Sequence, residues 1–195
     1  MKNSFLPAIQ LASGSPRRKS LLTEAGFDVE IVQNNVEETY PNDLPLDSIA
    51  KYLAELKIRE AKLHWKENFI LLTADSTVIL NGDSIGKPDS ENQAIEFINK
   101  LSGQTHEVIT GVCLYNGSEV ISLQDTTKVT FDHITWEEAE FYVKKYKPFD
   151  KAGAYGIQEW LGLCKIIRIE GSYSNVMGLP IHLVYKNIVE ISRLT

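Results

Sequence analysis

The chain has 195 residues, 43% hydrophobic and 24% charged, and a net charge of −6. That composition suits a globular chain with enough apolar material for a buried core. The acidic balance argues against a nucleic-acid polymer or an anionic membrane as partner, and no apolar run approaches the roughly 20 residues a membrane helix needs.

Ala8 to Ala12 reads as a short buried strand, Ser13 to Pro16 as a turn, and Arg17 to Ala25 as a helix closed by Gly26. Phe27 to Val32 alternates apolar and polar residues, the pattern of a half-buried strand. Asn34 to Pro45 is a polar, acidic loop, and Asp47 to Trp65 carries Ile49, Tyr52, Leu53, Leu56 and Leu63 at helical spacing. Phe69 to Ala74 is an apolar strand that ends at Asp75, followed by a short polar turn. Ser90-Glu91-Asn92-Gln93 is a capping box opening a helix to Gly103. Thr105 to Tyr115, Asn116-Gly117 and Glu119 to Phe131 read as a long β-hairpin. Thr135-Trp136-Glu137-Glu138 is a second capping box, starting a helix to about Lys147. Cys164 to Ile169 is a further strand, and Pro180 introduces a last helix over Leu179 to Ile191. Strands and helices alternate in the first half and a hairpin interrupts them in the second, which predicts a mixed-sheet α/β fold.

No repeat or linker divides the chain, so one domain over 1–195, as one body or two tightly joined lobes, is expected. Met1-Lys2-Asn3-Ser4-Phe5 begins without a long apolar stretch, so no signal peptide is expected and the cytoplasm is the default. Cys113 and Cys164 form neither a disulfide framework nor a zinc motif, and are expected to be reduced and buried.

A carboxylate at the end of a buried strand does nothing for packing. Asp75, with Lys87 delivered by the Gly86-Lys87-Pro88 turn, suggests a site for a metal-bound or phosphate-bearing ligand at the carboxyl edge of a sheet. Gly82 to Pro88 is not a nucleotide-binding P-loop: one residue is missing between the glycines, and proline stands where Ser or Thr is required. Ser13-Gly14-Ser15-Pro16-Arg17-Arg18 joins a strand to a helix N-terminus, where free N–H groups and the helix dipole attract anions. Arginine at a helix N-terminus is electrostatically misplaced unless an anion is close by. Glu37 and Glu38, brought to Asp75 by the fold, would make an oxygen set for Mg²⁺ or Mn²⁺. Lys57, one helix lysine among several, carries no information alone.

In Asp150-Lys151-Ala152-Gly153-Ala154-Tyr155-Gly156-Ile157-Gln158, small residues allow close backbone approach to a ligand, and Gln158 offers a donor and an acceptor to a base edge. Gly171 to Val176 is another Gly/Ser turn of the anion-nest type. His64, His106, His133 and His182 show no short metal-ligand spacing, and no Gly-x-Ser-x-Gly nucleophile elbow occurs.

Five blocks, Ser13 to Arg18, Ala74-Asp75-Ser76, Gly86-Lys87-Pro88, Asp150 to Gln158 and Gly171 to Pro180, resemble in sequence and order those of the Maf family, and they span nearly the whole chain. The resemblance implies a nucleoside triphosphate pyrophosphatase, which cleaves its substrate to the monophosphate and pyrophosphate. It implies an inosine-triphosphatase-like fold with two lobes around a central cleft, a divalent cation (Mg²⁺ or Mn²⁺), and the homodimer that the family often forms. One branch of the family is associated with dTTP and UTP, another with 7-methyl-GTP; the paired arginines and Gln158 look like the first. Ser76 stands where that branch usually has threonine, and Glu37-Glu38 where the usual pair is Asp-Glu. Lys57 falls on the family's helix lysine.

On this resemblance Asp75 is general base or metal ligand, and Glu38 is the second carboxylate for the metal. Arg18, Lys57 and Lys87 neutralise charge on the phosphoryl groups, Ser13 binds phosphate, and Arg17, Ser76 and Gln158 face the base. Two other readings use the same residues: a nucleotide-binding sensor that inhibits septum formation without turnover, and the 7-methyl-GTP branch.

Overall fold

The computed structural model describes residues 6–194, so Met1 to Phe5 and the expectation attached to them lie outside the described residues. The elements in chain order are β1 (Ala8–Leu11), α1 (Pro16–Glu24), β2 (Val29–Ile31), α2 (Ile49–Ala61), β3 (Phe69–Leu80), β4 (Asp83–Ile85), α3 (Glu91–Leu101), β5 (Thr105–Tyr115), β6 (Val120–Phe131), α4 (Trp136–Tyr146), α5 (Trp160–Lys165), β7 (Ile166–Glu170), α6 (Tyr173–Val176) and α7 (Ile181–Leu194). The strands form a seven-stranded sheet in the order β2-β1-β3-β5-β6-β7, with β4 on β3. β1 runs parallel to β2 and β3, whereas β3–β4 and β6–β7 are antiparallel, so the sheet is mixed and the fold is α/β as expected.

The chain forms two compact units. The first holds the described residues of Met1–Asp75, Thr110–Asp125 and Gly178–Thr195. Here α2 packs Ala54, Ile58 and Ala61 against Leu71 of β3, Ala12 and Cys113. Gly111 lets the α2 backbone approach β5: a Cβ on it would lie 2.4 Å from Lys51 Cα. The Thr73 hydroxyl donates to Ala54 O at 2.8 Å and fixes the height of α2 along β3.

The second unit, Ser76–Ile109 and Thr126–Met177, is built on α3 and α4 around Ile98, Phe131, Tyr142 and Tyr155. Thr135 and Glu138 form the expected capping box of α4, and the last turn ends on Lys147 in the left-handed conformation. The box at Ser90 is only half made. Its hydroxyl accepts from Gln93 N–H, but the Gln93 side chain accepts from Asp89 N–H instead of reaching back to Ser90.

Three local expectations are corrected. β3 does not stop at Asp75 but continues to Leu80, because Thr77, Val78 and Leu80 extend the buried run. Asn81 and Gly82, at φ of 52° and 84°, then close a tight hairpin into β4. Residues 160–165 are helical, and the following strand is Ile166–Glu170, later than the sequence suggested. Cys113 is buried, whereas Cys164 is exposed. Among the described residues no helix is long and apolar enough to cross a membrane.

Candidate functional site

In the first unit, Lys57 on α2 and Asp75 on β3 meet through the Thr73–Ala54 hydrogen bond, which registers the helix one turn before Lys57 against the strand two residues before Asp75. Lys57 Nζ donates to Asp75 Oδ1 at 2.5 Å and pairs with Glu38 Oε1 at 2.7 Å. The acidic loop is anchored for this contact: Asn34 Nδ2 donates to Lys57 O, and Asn34 Oδ1 accepts from Val36 N–H. The Lys57 and Asp75 side chains are each 12% exposed and that of Glu38 is 42% exposed, so the pair of carboxylates opens toward solvent on the Glu38 side.

Arg18 stands behind Asp75. Its Nη1 donates to Ala74 O at 2.8 Å and to Ser13 Oγ at 3.1 Å, and its Nε donates to Gly178 O at 2.8 Å. Burial pulls its pKa down and the Asp75 charge opposes that shift; an arginine remains a cation there. Arg18 thus ties α1, the residue before Asp75 and Gly178 together, work that sequence reasoning had not assigned to it. Ser13 Oγ also accepts from Ser15 N–H at 3.2 Å. Ser15 precedes α1 without a side-chain capping bond, and Arg17 is half-exposed.

Ser76, Lys87 and Gln158 belong to the second unit. Ser76 is half-exposed on β3 and Lys87 is exposed after β4. Gly86 O accepts from Gly153 N–H at 3.1 Å, so the Lys87 turn is stitched to the loop that carries Gln158. That loop turns at Gly153, φ 72°, where a Cβ would meet Val78 Cγ2 at 3.1 Å. Tyr155 in the loop shares a 2.7 Å hydrogen bond with His106 Nε2. Among the described residues the buried Gln158 Oε1 has no hydrogen-bond partner. A buried amide oxygen in that state is costly unless a ligand supplies a donor.

The remaining anion-nest candidate is used internally. Ser172 accepts from Asn175 N–H at the start of α6 and donates its own N–H to Thr127 Oγ1.

Among the described residues no group of three or more His, Cys, Asp or Glu is arranged to hold a metal. The fit to a divalent cation rests on Glu38 and Asp75. Their oxygens already converge on one cation, the Lys57 ammonium, and they are the hard oxygen donors that Mg²⁺ and Mn²⁺ take alongside phosphate. The residue that sequence reasoning undervalued is Lys57. Its carboxylate partners are distant in the sequence, and nothing local marks it.

The sequence family described as Maf-like protein matches residues 8–191. The chain is 45% identical to a dTTP/UTP pyrophosphatase of Flavobacterium johnsoniae, over 94% of each chain. It is 42% identical to a dTTP/UTP pyrophosphatase of Porphyromonas gingivalis, over 92% of each. In structure it is similar to a nucleoside-triphosphatase / dITP/XTP pyrophosphatase of Mycobacterium abscessus, with a TM-score of 0.41 and 12% identity over 96% of this chain and 94% of that one.

Proposed function

The chain belongs to the Maf-like protein family, and on that premise we propose that it is a nucleoside triphosphate pyrophosphatase acting on dTTP and UTP. The observation that carries the chemistry is the convergence of Glu38 and Asp75 on Lys57. The reaction is hydrolysis at the α-phosphorus: a water oxygen bonds to phosphorus, the bond from phosphorus to the bridging oxygen breaks, and pyrophosphate leaves. The proton lost by the water goes to the Asp75 carboxylate, held at the end of the Lys57 hydrogen bond.

Glu38 and Asp75 are the residues that would hold Mg²⁺ or Mn²⁺; when bound, the cation neutralises charge on the phosphate oxygens. Lys57, Lys87 and Arg18 supply positive charge against the phosphoryl groups and the departing pyrophosphate. Arg18 also keeps Ala74 and hence Asp75 in place through its bond to Ala74 O. Ser13, which already accepts from Arg18, is the phosphate-binding hydroxyl. Arg17, Ser76 and Gln158 face the base.

The buried acceptor on Gln158 supports a pyrimidine. Uracil and thymine present an N3–H between two carbonyls, so Oε1 accepts from N3–H while Nε2 donates to a neighbouring carbonyl. The whole chain, 1–195, acts as one Maf-like domain, in the cytoplasm where nucleoside triphosphates are made and spent. A homodimer is its assembly, supported by the edge strand β7 with its exposed Ile167 and Ile169.

The test is product analysis on the purified chain with Mg²⁺ or Mn²⁺ against dTTP, UTP, CTP, the purine triphosphates and 7-methyl-GTP. Monophosphate and pyrophosphate, formed fastest from dTTP or UTP, is the expected result. Orthophosphate as product would overturn the reaction. Turnover of 7-methyl-GTP alone would overturn the base assignment, and saturable binding without turnover would make the chain a nucleotide sensor.

A further inference from the structure

Gln158 is an ambiguous reader. One orientation of its amide, oxygen forward, matches the N3–H and O4 of uracil or thymine. The opposite orientation matches the N3 acceptor and N4 amino group of cytosine. Selectivity for one pyrimidine over the other therefore needs something that fixes which way the amide points.

Glu159 supplies it. Residues 156–159 form a tight turn in which Glu159 N–H donates to Gly156 O at 3.0 Å. Gly156 N–H in turn donates to Tyr142 Oη at 2.9 Å, and that hydroxyl donates to Glu159 Oε2. Tyr142 is fully buried, and burial together with the Glu159 carboxylate pushes its pKa up, so it stays protonated as the donor. On the other side, Glu159 Oε1 lies 3.3 Å from Nζ of Lys151, itself only 8% exposed and paired with Asp150. The carboxylate is thus held by a buried tyrosine and a buried lysine.

It is held beside the Gln158 amide. A Cβ placed on Gly156 would be 2.9 Å from Glu159 Oε2 and 3.1 Å from Gln158 Nε2, so the carboxylate and the amide nitrogen border the same small space. A carboxylate attracts the NH₂ end of an amide and repels its oxygen. The amide nitrogen is then turned toward Glu159 and Oε1 away from it, the oxygen that is buried without a partner.

We propose that Glu159, clamped by Tyr142 and Lys151, is a positioning residue that fixes the Gln158 amide with its oxygen toward the base, and so selects uracil and thymine over cytosine. The proposal rests on the reading of Gln158 as the base-reading residue. Gly156 belongs to the same device, because any side chain there would occupy the space that both groups border.

The experiment compares kcat/KM for UTP and CTP, which share a sugar, in the wild type, Glu159→Gln, Tyr142→Phe and Gln158→Ala, with thermal melts to confirm folding. Glu159→Gln keeps the shape but removes the charge. It is expected to shift the UTP-to-CTP ratio toward CTP by about tenfold, the worth of one oriented hydrogen bond. Activity on UTP should fall while that on CTP is held or rises, since a freed amide serves both bases. Tyr142→Phe, which releases the carboxylate without changing its charge, is expected to shift the ratio in the same direction, and it carries the test alone if Glu159→Gln does not fold. A purely structural role would lower both substrates in parallel. That result, with Gln158→Ala still changing the ratio, overturns the positioning role and leaves Gln158 as the reader. A ratio unchanged in Gln158→Ala overturns both.

Discussion

Replacing Asp75 by Asn exchanges a carboxylate oxygen for an amide and removes one of the two charges that bind Lys57. Turnover is expected to fall by on the order of 10²-fold or more, because both proton abstraction and cation binding lose their anion. Glu38 still pairs with Lys57, so the fold is retained and the melting curve checks it. A near wild-type rate would remove Asp75 from the mechanism. Asp75 was legible in the sequence because a charge inside a buried run has no packing reason to be there. Lys57 was legible only through the family resemblance, because its meaning lies in a contact to a strand 18 residues later. His106 carries a second expectation at this scale. Burial lowers its pKa from 6.5 to about 4, so the native state holds it neutral where the unfolded chain takes up a proton. Between those values the unfolded state binds more protons, and stability falls as pH drops from 6.5 toward 4, by up to about 3 kcal/mol. Urea midpoints at pH 7 and pH 4.5 measure it. His106→Phe, which keeps a ring beside Phe131 and Tyr155, should lose less stability between the two pH values than the wild type does. An equal loss would mean that His106 is not the group responsible.

At the scale of elements, what the sequence showed well was whatever is set locally. The α4 capping box and the helical stripe of α2 follow from side chains within one or two turns of each other; α4 forms where expected, whereas α2 covers only Ile49–Ala61 of the expected Asp47 to Trp65 and leaves Leu63 outside it, 74% exposed. The misses have local signals that a stronger one overruled. Asp75 looked like the end of a strand because charge usually ends an apolar run, yet β3 continues and the Asn81-Gly82 turn is the real stop. The short helix α5 exposes Leu163 and Cys164 and buries Leu161, too brief a pattern to separate from a strand. Gly111 shows an element constraint invisible to periodicity: it is a strand residue whose missing Cβ admits the backbone of α2. Gly111→Ala must push α2 away from β5, and a loss of about 3 kcal/mol or more is expected in denaturant melts. Because α2 carries Lys57, kcat should fall with it. Wild-type stability in this variant would show that α2 can shift at little cost.

For the whole chain, five short blocks in order carried the family, and the matched region, 8–191, takes in all of them. Strand order was not legible, since placing β1 between β2 and β3 depends on pairings that no local pattern encodes. Assembly is a property of the whole chain, and β7 is where a test of it belongs. As the last strand of the sheet, β7 offers backbone groups on its outer side and exposes Ile167 at 65% and Ile169 at 38%. Exposed apolar edge strands are usually blunted by proline, charge or a covering element. In β7 the charges, Arg168 and Glu170, are of opposite sign two residues apart. Antiparallel pairing of two copies about Ile169 would set Arg168 of one against Glu170 of the other and stack Ile169 on its twin, a self-complementary edge of the kind a two-fold dimer uses. Light scattering after size exclusion is therefore expected to give twice the mass of the chain at micromolar concentration. The double variant Ile167→Lys, Ile169→Lys should run as a monomer, its dimer weakened by about 10²-fold or more, with dTTP hydrolysis retained because neither residue takes part in the chemistry. A wild type that is monomeric at that concentration, or a lysine variant that remains a dimer, would reject β7 as the interface.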